Sequence, residues 1–242
     1  MTRIQNTARG AGCLTRRTIL TLAAAMPLLA LDVVPKPAVA ETTGNELVEE
    51  SRVSLERLMS DSDMPEFKRY LAKARGVLIF PELIKGGFIL GAEGGSGVLL
   101  VRGADGTWSA PAFYTLAAGS IGLQIGAQIS EAVFTVMTDS AVESLLNSEF
   151  KLGADASVAM GPLGAGIEAS STTNVGADIY AFSRAVGLFG GGALEGGKII
   201  SRQKLNDQYY GAPAPARAVV IERKFFNPQS DKLRTALPQP SL

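Results

Sequence analysis

The 242-residue chain has no histidine and a single cysteine, Cys13. The missing histidine excludes a Ser-His-Asp triad, a Cys-His dyad and any His-ligated metal site. A lone cysteine cannot close a disulfide within one chain. A phosphate-binding loop is missing too. The glycine runs Gly91 to Gly97 and Gly161 to Gly166 superficially resemble one, but neither ends in Gly-Lys-Ser/Thr or joins a strand to a helix in a βαβ unit. No cofactor motif is visible. Nor is there an excess of positive charge, with 23 basic against 23 acidic residues. Residues 1–40 hold five of the basic groups (Arg3, Arg9, Arg16, Arg17, Lys36) and one acid, Asp32, leaving 18 basic against 22 acidic. A weakly acidic body is a poor nucleic-acid binder, and contact with any anionic surface requires a local basic patch.

Long apolar runs are also scarce. Leu20 to Leu31 is mildly apolar, contains Pro27, and falls short of the roughly 20 residues of a spanning helix. Thr15-Arg16-Arg17-Thr18-Ile19-Leu20 precedes it and Ala38-Val39-Ala40 follows. A basic head, a short apolar centre and an A-x-A end describe a secretory signal, and the paired arginines favour the twin-arginine type. Cys13 lies before the apolar centre, whereas a lipidated cysteine lies after it. The sequence thus predicts a signal peptide over residues 1–40 and one domain over 41–242. The product is expected to be exported, to the periplasm or cell envelope or beyond. Cleavage after Ala40 leaves no cysteine, which suits an oxidising compartment.

Within 41–242 the periodicity predicts two opening helices. Asn45 to Met59 places Leu47, Val48, Leu55, Leu58 and Met59 near one stripe. Asp63-Met64-Pro65-Glu66 starts the second, with an acid at the N-cap, proline in the first turn and Glu66 at the capping-box position. Phe67, Tyr70, Leu71 and Ala74 share its apolar face; Arg69 and Lys73 lie opposite, with Lys68 to one side. A β-meander follows over Gly76 to Met137. Phe88 to Leu90 and Val98 to Val101 read as short strands joined by Gly91 to Gly97, a hairpin signal because glycine tolerates positive φ. Gly103-Ala104-Asp105-Gly106 is a second turn. Ile121, Leu123, Ile125, Ala127 and Ile129 alternate with Gly122, Gln124, Gly126 and Gln128, the period of a strand. Asp139 to Phe150 reads as a helix capped by Asp139 or by Ser140 with Glu143. Ala154 to Met160, Ile167 to Ser171 and Ala177 to Arg184 read as strands, and Val186 to Phe189 and Lys198 to Ser201 are shorter apolar runs. Asn206 to Gly211 reads as a turn after a short strand or helix, and Ser230 to Leu237 as a last helix. The fold class is α+β: a twisted antiparallel sheet or partly closed barrel rich in glycine turns, with N-terminal and flanking helices.

Several stretches together resemble the SYLF domain. They are Gly76-Val-Leu-Ile-Phe-Pro81, Lys85-Gly86-Gly87-Phe88, Gly97-Val98-Leu99, Trp108-Ser-Ala-Pro-Ala-Phe-Tyr114, Gly119-Ser-Ile-Gly-Leu-Gln-Ile-Gly126 and Tyr209-Tyr210-Gly211. The likeness covers nearly all of residues 45–238. It implies a non-enzymatic module that binds phosphoinositides or other anionic phospholipids, with actin binding in yeast members and exported bacterial members. The chain departs from the eukaryotic pattern in carrying a signal sequence and no appended SH3 or FYVE module. An exported protein meets neither actin nor phosphoinositides in its own envelope, so anionic phospholipid is the expected partner.

A phosphate headgroup calls for Lys, Arg or backbone N–H groups. Lys68, Arg69, Lys73, Arg75 and Lys85 are therefore the candidate lipid-binding residues. Arg217, Arg223, Lys224, Lys232 and Arg234 form a second basic cluster. Phe67, Phe88, Trp108, Phe113 and Tyr114 are candidates for shallow insertion, against the commoner reading as core. No catalytic, cofactor-binding or metal-ligating residue is singled out. Two rival readings remain. One is an envelope structural or protein-interaction module using its Gly/Gln sheet face on a partner or on itself. The other is an enzyme drawing on Asp155, Glu168 and Asp178, which otherwise read as polar-face acids of a half-exposed sheet.

Overall fold

The computed structural model describes residues 43–87, 90–121, 126–161, 176–183 and 197–239. Their elements run α1 (Gly44–Ser60), α2 (Pro65–Lys73), β1 (Gly76–Gly87), β2 (Leu90–Val101), β3 (Ala112–Ile121), β4 (Gly126–Val136), α3 (Asp139–Leu145), β5 (Glu149–Lys151), β6 (Val158–Met160), β7 (Ile179–Ser183), β8 (Lys198–Ser201), α4 (Gln203–Tyr210), α5 (Ala216–Val220) and α6 (Asp231–Ala236). The strands form one sheet ordered β5-β8-β3-β2-β1-β4-β7-β6. It curls into a half-barrel, and the fold is α+β as expected. All its pairings are antiparallel except β6 with β7, which is parallel and makes the sheet mixed.

Both faces of the sheet are covered. Leu78, Phe80, Leu83, Leu99, Tyr114, Leu116, Phe134 and Phe150 fill the inner face with Val142 and Leu145 of α3 and Val219 and Val220 of α5. Val77, Ile79, Val98, Leu100, Phe113 and Val133 point the other way, onto Leu47, Leu55 and Leu58 of α1, Phe67 and Leu71 of α2, Leu205 of α4 and Leu233 of α6. Double coverage explains why Val77 to Phe80 and Val98 to Val101 are unbroken apolar runs instead of alternating ones. Each fully buried aliphatic side chain contributes about 1.5–3 kcal/mol. Helix α1 begins in a capping box: the Thr43 hydroxyl accepts from the Glu46 N–H, and the Glu46 carboxylate accepts from the Thr43 N–H at 2.9 Å.

Proline sits in the middle of this sheet, at Pro81 of β1, between β2 and β4. A central strand tolerates proline only where the ladder is broken. Here it is broken: Phe80 faces Ala132 but Leu83 faces Ser130, so β1 carries one extra residue at Pro81-Glu82. The same excess appears against β2, between Ile79 and Ile84. This bulge swings the Glu82 carbonyl toward β2, and a Cβ on Gly95 would lie 2.0 Å from that oxygen. Gly91 to Gly97 are therefore not a hairpin loop. They lie inside strand β2, and Gly95 and Gly97 let β1 approach closely.

Other boundaries shift for local reasons. Helix α2 starts with Met64 at its N-cap and no side-chain cap, so the expected Asp63–Glu66 box does not form; Glu66 pairs with Arg69 instead. Helix α3 stops at Leu145, its cap is Thr138, and Phe150 reaches the core from strand β5. Gln203–Tyr210 is a helix closed by Gly211 at φ +70°, so the expected short element before Asn206 is a helix and it runs on through most of the expected turn. The simple meander fails too, because β4 pairs with β1, on the far side from β2 and β3. Strands β3 and β4 divide the alternating stretch: Ile121 faces Leu90, Gly126 faces Gly87, and residues 122–125 lie outside the described set. Ile129 is 65% exposed. The expected strand Ile167 to Ser171 and the run Val186 to Phe189 also lie outside the described residues.

Candidate basic face around helix α2

Helix α2 has its charge pattern because one stripe is needed for the core. Phe67 and Leu71, one turn apart, are fully buried against the sheet. Phe67 meets the Phe182 ring edge-on at 5.0 Å between centroids. Lys68, Arg69 and Lys73 are left on the exposed side. Arg69 pairs with Glu66 and lies 5.5 Å from the centre of the Tyr70 ring. Lys68 and Lys73 have no ion-pair partner among the described residues. Arg75 follows the C-cap and ties the helix exit to the sheet. Its N–H donates to the Val136 carbonyl and its own carbonyl accepts from the Arg102 N–H, both at 2.8 Å. Its guanidinium pairs with Asp139 at 2.7 Å. Arg69 and Arg75 are thus partly neutralised, and Lys68 and Lys73 are not.

One further cation joins this end of the helix. Arg102, at the end of the β2 hairpin, donates to the carbonyl of Ala72 at 2.7 Å and reaches toward that of Leu71 at 3.4 Å. It fills the role of a C-cap, satisfying terminal carbonyls and opposing the negative end of the helix dipole. Its guanidinium lies 4.6 Å from the centre of the Trp108 ring. Trp108 donates its indole N–H to the Pro238 carbonyl at 2.9 Å. Burial, and then the neighbouring Arg75 charge, press the Arg102 pKa downward. Sequence reasoning missed Arg102. The available signal was that Val101 had to end the strand paired with the one starting at Gly76, which sets residue 102 beside residue 75.

Lys85 does not belong to this group. It lies nine residues beyond Gly76 along β1, on the order of 30 Å away for an extended strand. It faces Glu93 across the β1–β2 ladder. Glu93 is 4% exposed, and its Oε1 has no hydrogen-bond partner among the described residues. Burial pushes its carboxyl pKa up, and Lys85 only partly opposes this. The structure therefore gathers Lys68, Arg69, Lys73 and Arg75 and leaves Lys85 apart.

The second half of the chain carries a family signature. A family model described as Ysc84, Las17-binding protein actin regulator, matches residues 117–239, just over half of the chain. The chain belongs to the Ysc84 family. This agrees with the SYLF likeness of its sequence. LAS seventeen-binding protein 3 of Saccharomyces cerevisiae is 37% identical over 168 residues, covering 67% of this chain and 36% of the yeast protein. Protein YSC84 of the same yeast is 34% identical over 168 residues, covering 67% and 35%. SH3 domain-containing YSC84-like protein 1 of Homo sapiens is 37% identical over 141 residues, covering 58% and 41%. The chain thus spans little more than a third of the length of these relatives.

Most other candidate groups of this Ysc84-family chain have structural duties, while Lys232 is exposed and has no ion-pair partner among the described residues. Phe67, Trp108, Phe113 and Tyr114 are at most 1% exposed, so the core reading holds and they cannot insert into a bilayer from this fold. Phe88 lies outside the described residues. In the C-terminal cluster, Arg217 pairs with Glu143, Arg223 with Asp105, Lys224 with Glu222 and Arg234 with Asp231. Asp155 accepts from the Lys151 N–H at 2.7 Å. Asp178 accepts from the Ser157 N–H and hydroxyl and from the Thr138 hydroxyl; the Ser157 bonds, chiefly, hold its pKa low. Both carboxylates brace loops instead of converging on each other. Glu168 lies outside the described residues.

Proposed function

We propose that this chain is a non-enzymatic binding module that docks reversibly on anionic phospholipid headgroups through the exposed cations of α2. The observation that carries this reading is the pair Lys68 and Lys73, exposed and without ion-pair partners among the described residues, beside Arg69, Arg75 and Arg102. Attraction to an anionic surface is worth about 1 kcal/mol per basic residue. Two free lysines then supply about 2 kcal/mol, roughly 30-fold in partitioning, with smaller additions from the paired arginines. The described aromatic candidates, Phe67, Trp108, Phe113 and Tyr114, are buried, so the contact is electrostatic and salt-labile. The leader-like residues 1–40 support a reading in which the module meets a cell envelope, with anionic phospholipid as the available surface. The family description and the name of LAS seventeen-binding protein 3 speak of Las17 binding, which supports a partner protein as the second reading.

The test is co-sedimentation of residues 41–242 with anionic and zwitterionic vesicles at low and high salt. Binding is expected to anionic vesicles alone, to fall with salt, and to drop about 30-fold in Lys68→Gln/Lys73→Gln. Lys85→Gln is expected to bind like the parent. Equal binding by the double variant, with its melting transition intact, refutes the reading.

A further inference from the structure

The Pro81-Glu82 bulge has a second consequence, on the face that carries α1. By pushing Glu82 out of the ladder it opens a groove of about 260 Å³ between α1 and strands β1 and β4. Glu49, Glu50, Val53, Ser54 and Arg57 of α1 line one side, and Pro81, Glu82 and Glu131 the other. Some of this charge is already spent. Glu131 accepts from the Ser54 hydroxyl at 2.6 Å and from Arg57 at 3.0 Å, and Glu49 is bridged by Arg52. Glu50 and Glu82 have no ion-pair partner among the described residues. Partial desolvation, and then the Glu82 and Glu46 carboxylates, raise the pKa of the exposed Glu50, so a cation arriving there relieves a repulsion.

Apolar side chains stand beside these acids. Val53 lines the groove and is 36% exposed. Ile84 and Ile129 face each other across β1 and β4 and are 43% and 65% exposed. They lie on the sheet face that bears Glu131, and Ile84 is two residues beyond Glu82. An aliphatic pair next to unpaired carboxylates matches neither a simple cation nor an anionic membrane. It matches a chain segment that offers both kinds of group.

We propose that this groove docks a basic, aliphatic segment of a partner protein. A Lys or Arg of the segment enters between Glu50 and Glu82, and a Leu, Ile or Val side chain covers Val53, Ile84 and Ile129. Two residues of extended chain span roughly 7 Å, so a cation and an aliphatic at alternate positions reach both subsites from one side. The site shares no residue with the cations of α2 and does not need lipid in order to bind.

The experiment uses the full chain and a fluorescein-labelled peptide with Leu and Lys at alternate positions separated by Ser, followed by anisotropy without lipid. The expected result is saturable binding that weakens with salt and fails for the peptide with Glu in place of Lys. The variant Glu50→Gln/Glu82→Gln is expected to weaken binding about tenfold through lost charge pairing. Ile129→Ser, at an exposed position that leaves the fold intact, is expected to weaken it several-fold, as is Ser for Leu in the peptide. Glu222→Gln, remote from the groove, is expected to change nothing. Unchanged affinity in both groove variants, equal binding of the Glu peptide, or no binding at millimolar peptide overturns the proposal. So does a groove filled by a second copy of this chain, seen as concentration-dependent sedimentation that Ile129→Ser abolishes.

Discussion

Arg102→Ala isolates the one cation that the structure adds to the basic face and asks how α2 is held. Four interactions end with the guanidinium. The hydrogen bond to the Ala72 carbonyl, at 2.7 Å, is charge-assisted; such bonds contribute about 1.5–3 kcal/mol net. The bonds to Leu71 and Pro238 are 3.4 and 3.5 Å long and add little. Stacking on Trp108 at 4.6 Å contributes about 0.5–2 kcal/mol, with the lower half suited to a half-exposed site. Against these gains stands the Arg102 Nε, which is buried without a partner among the described residues. The balance is a loss of about 2–3 kcal/mol for the alanine variant. Arg102→Lys keeps the charge but not the planar fork, and is expected to lose about half as much. Urea unfolding followed by Trp108 fluorescence reads both variants against the parent. A loss below about 0.5 kcal/mol in Arg102→Ala would show that α2 is fixed by Phe67 and Leu71 alone.

Gly95→Ala places a Cβ 2.0 Å from the Glu82 carbonyl oxygen; it is expected to lower stability by 1–3 kcal/mol or more and to shift the groove peptide's affinity, read by chemical denaturation and anisotropy together. Thr43→Ala removes the α1 capping box and is expected to cost about 1 kcal/mol, read as a lower urea midpoint. For Glu93 the folded carboxyl pKa is raised above its unfolded value. The folded state therefore binds the extra proton, and stability falls as pH rises through the folded pKa. Glu93→Gln is accordingly expected to be more stable than the parent at pH 7.5, on the order of 1 kcal/mol, with the gap closing near pH 4; a gap that widens toward acid would reverse the assignment.

Where a side chain's periodicity matched its burial, the sequence was legible. Leu47, Val48, Leu55 and Leu58 marked the buried stripe of α1, and Phe67 with Leu71 marked that of α2. The exposed positions of Lys68, Arg69 and Lys73 followed from the same wheel. What failed was glycine. A Gly-rich run signals a turn because glycine permits positive φ, yet Gly94, Gly95 and Gly97 lie in strand β2. Gly95 and Gly97 are there for lack of a side chain, and only the Pro81 bulge explains the need. Sequence proximity also misled, since Lys85 is ten residues from Arg75 but a strand length away. Arg102 is far in sequence and adjacent in space, a relation that the β1–β2 register creates and no local pattern displays.

A chain held by α2 on an anionic vesicle is expected to turn its acidic groove away, because Glu50 and Glu82, without ion-pair partners among the described residues, are repelled by the same headgroups that attract Lys68 and Lys73. The groove is then expected to face solution, with lipid and basic segment bound together. Charge sets the sign of their coupling. A bound cationic peptide neutralises Glu50 and Glu82, removes part of the repulsion, and is expected to strengthen vesicle binding a few-fold at low salt. Glu50→Gln/Glu82→Gln is expected to mimic that gain without peptide. Peptide that instead displaces the chain from vesicles would place both ligands on one site, and would show that the cations of α2 and the Glu50–Glu82 groove do not act as separate surfaces.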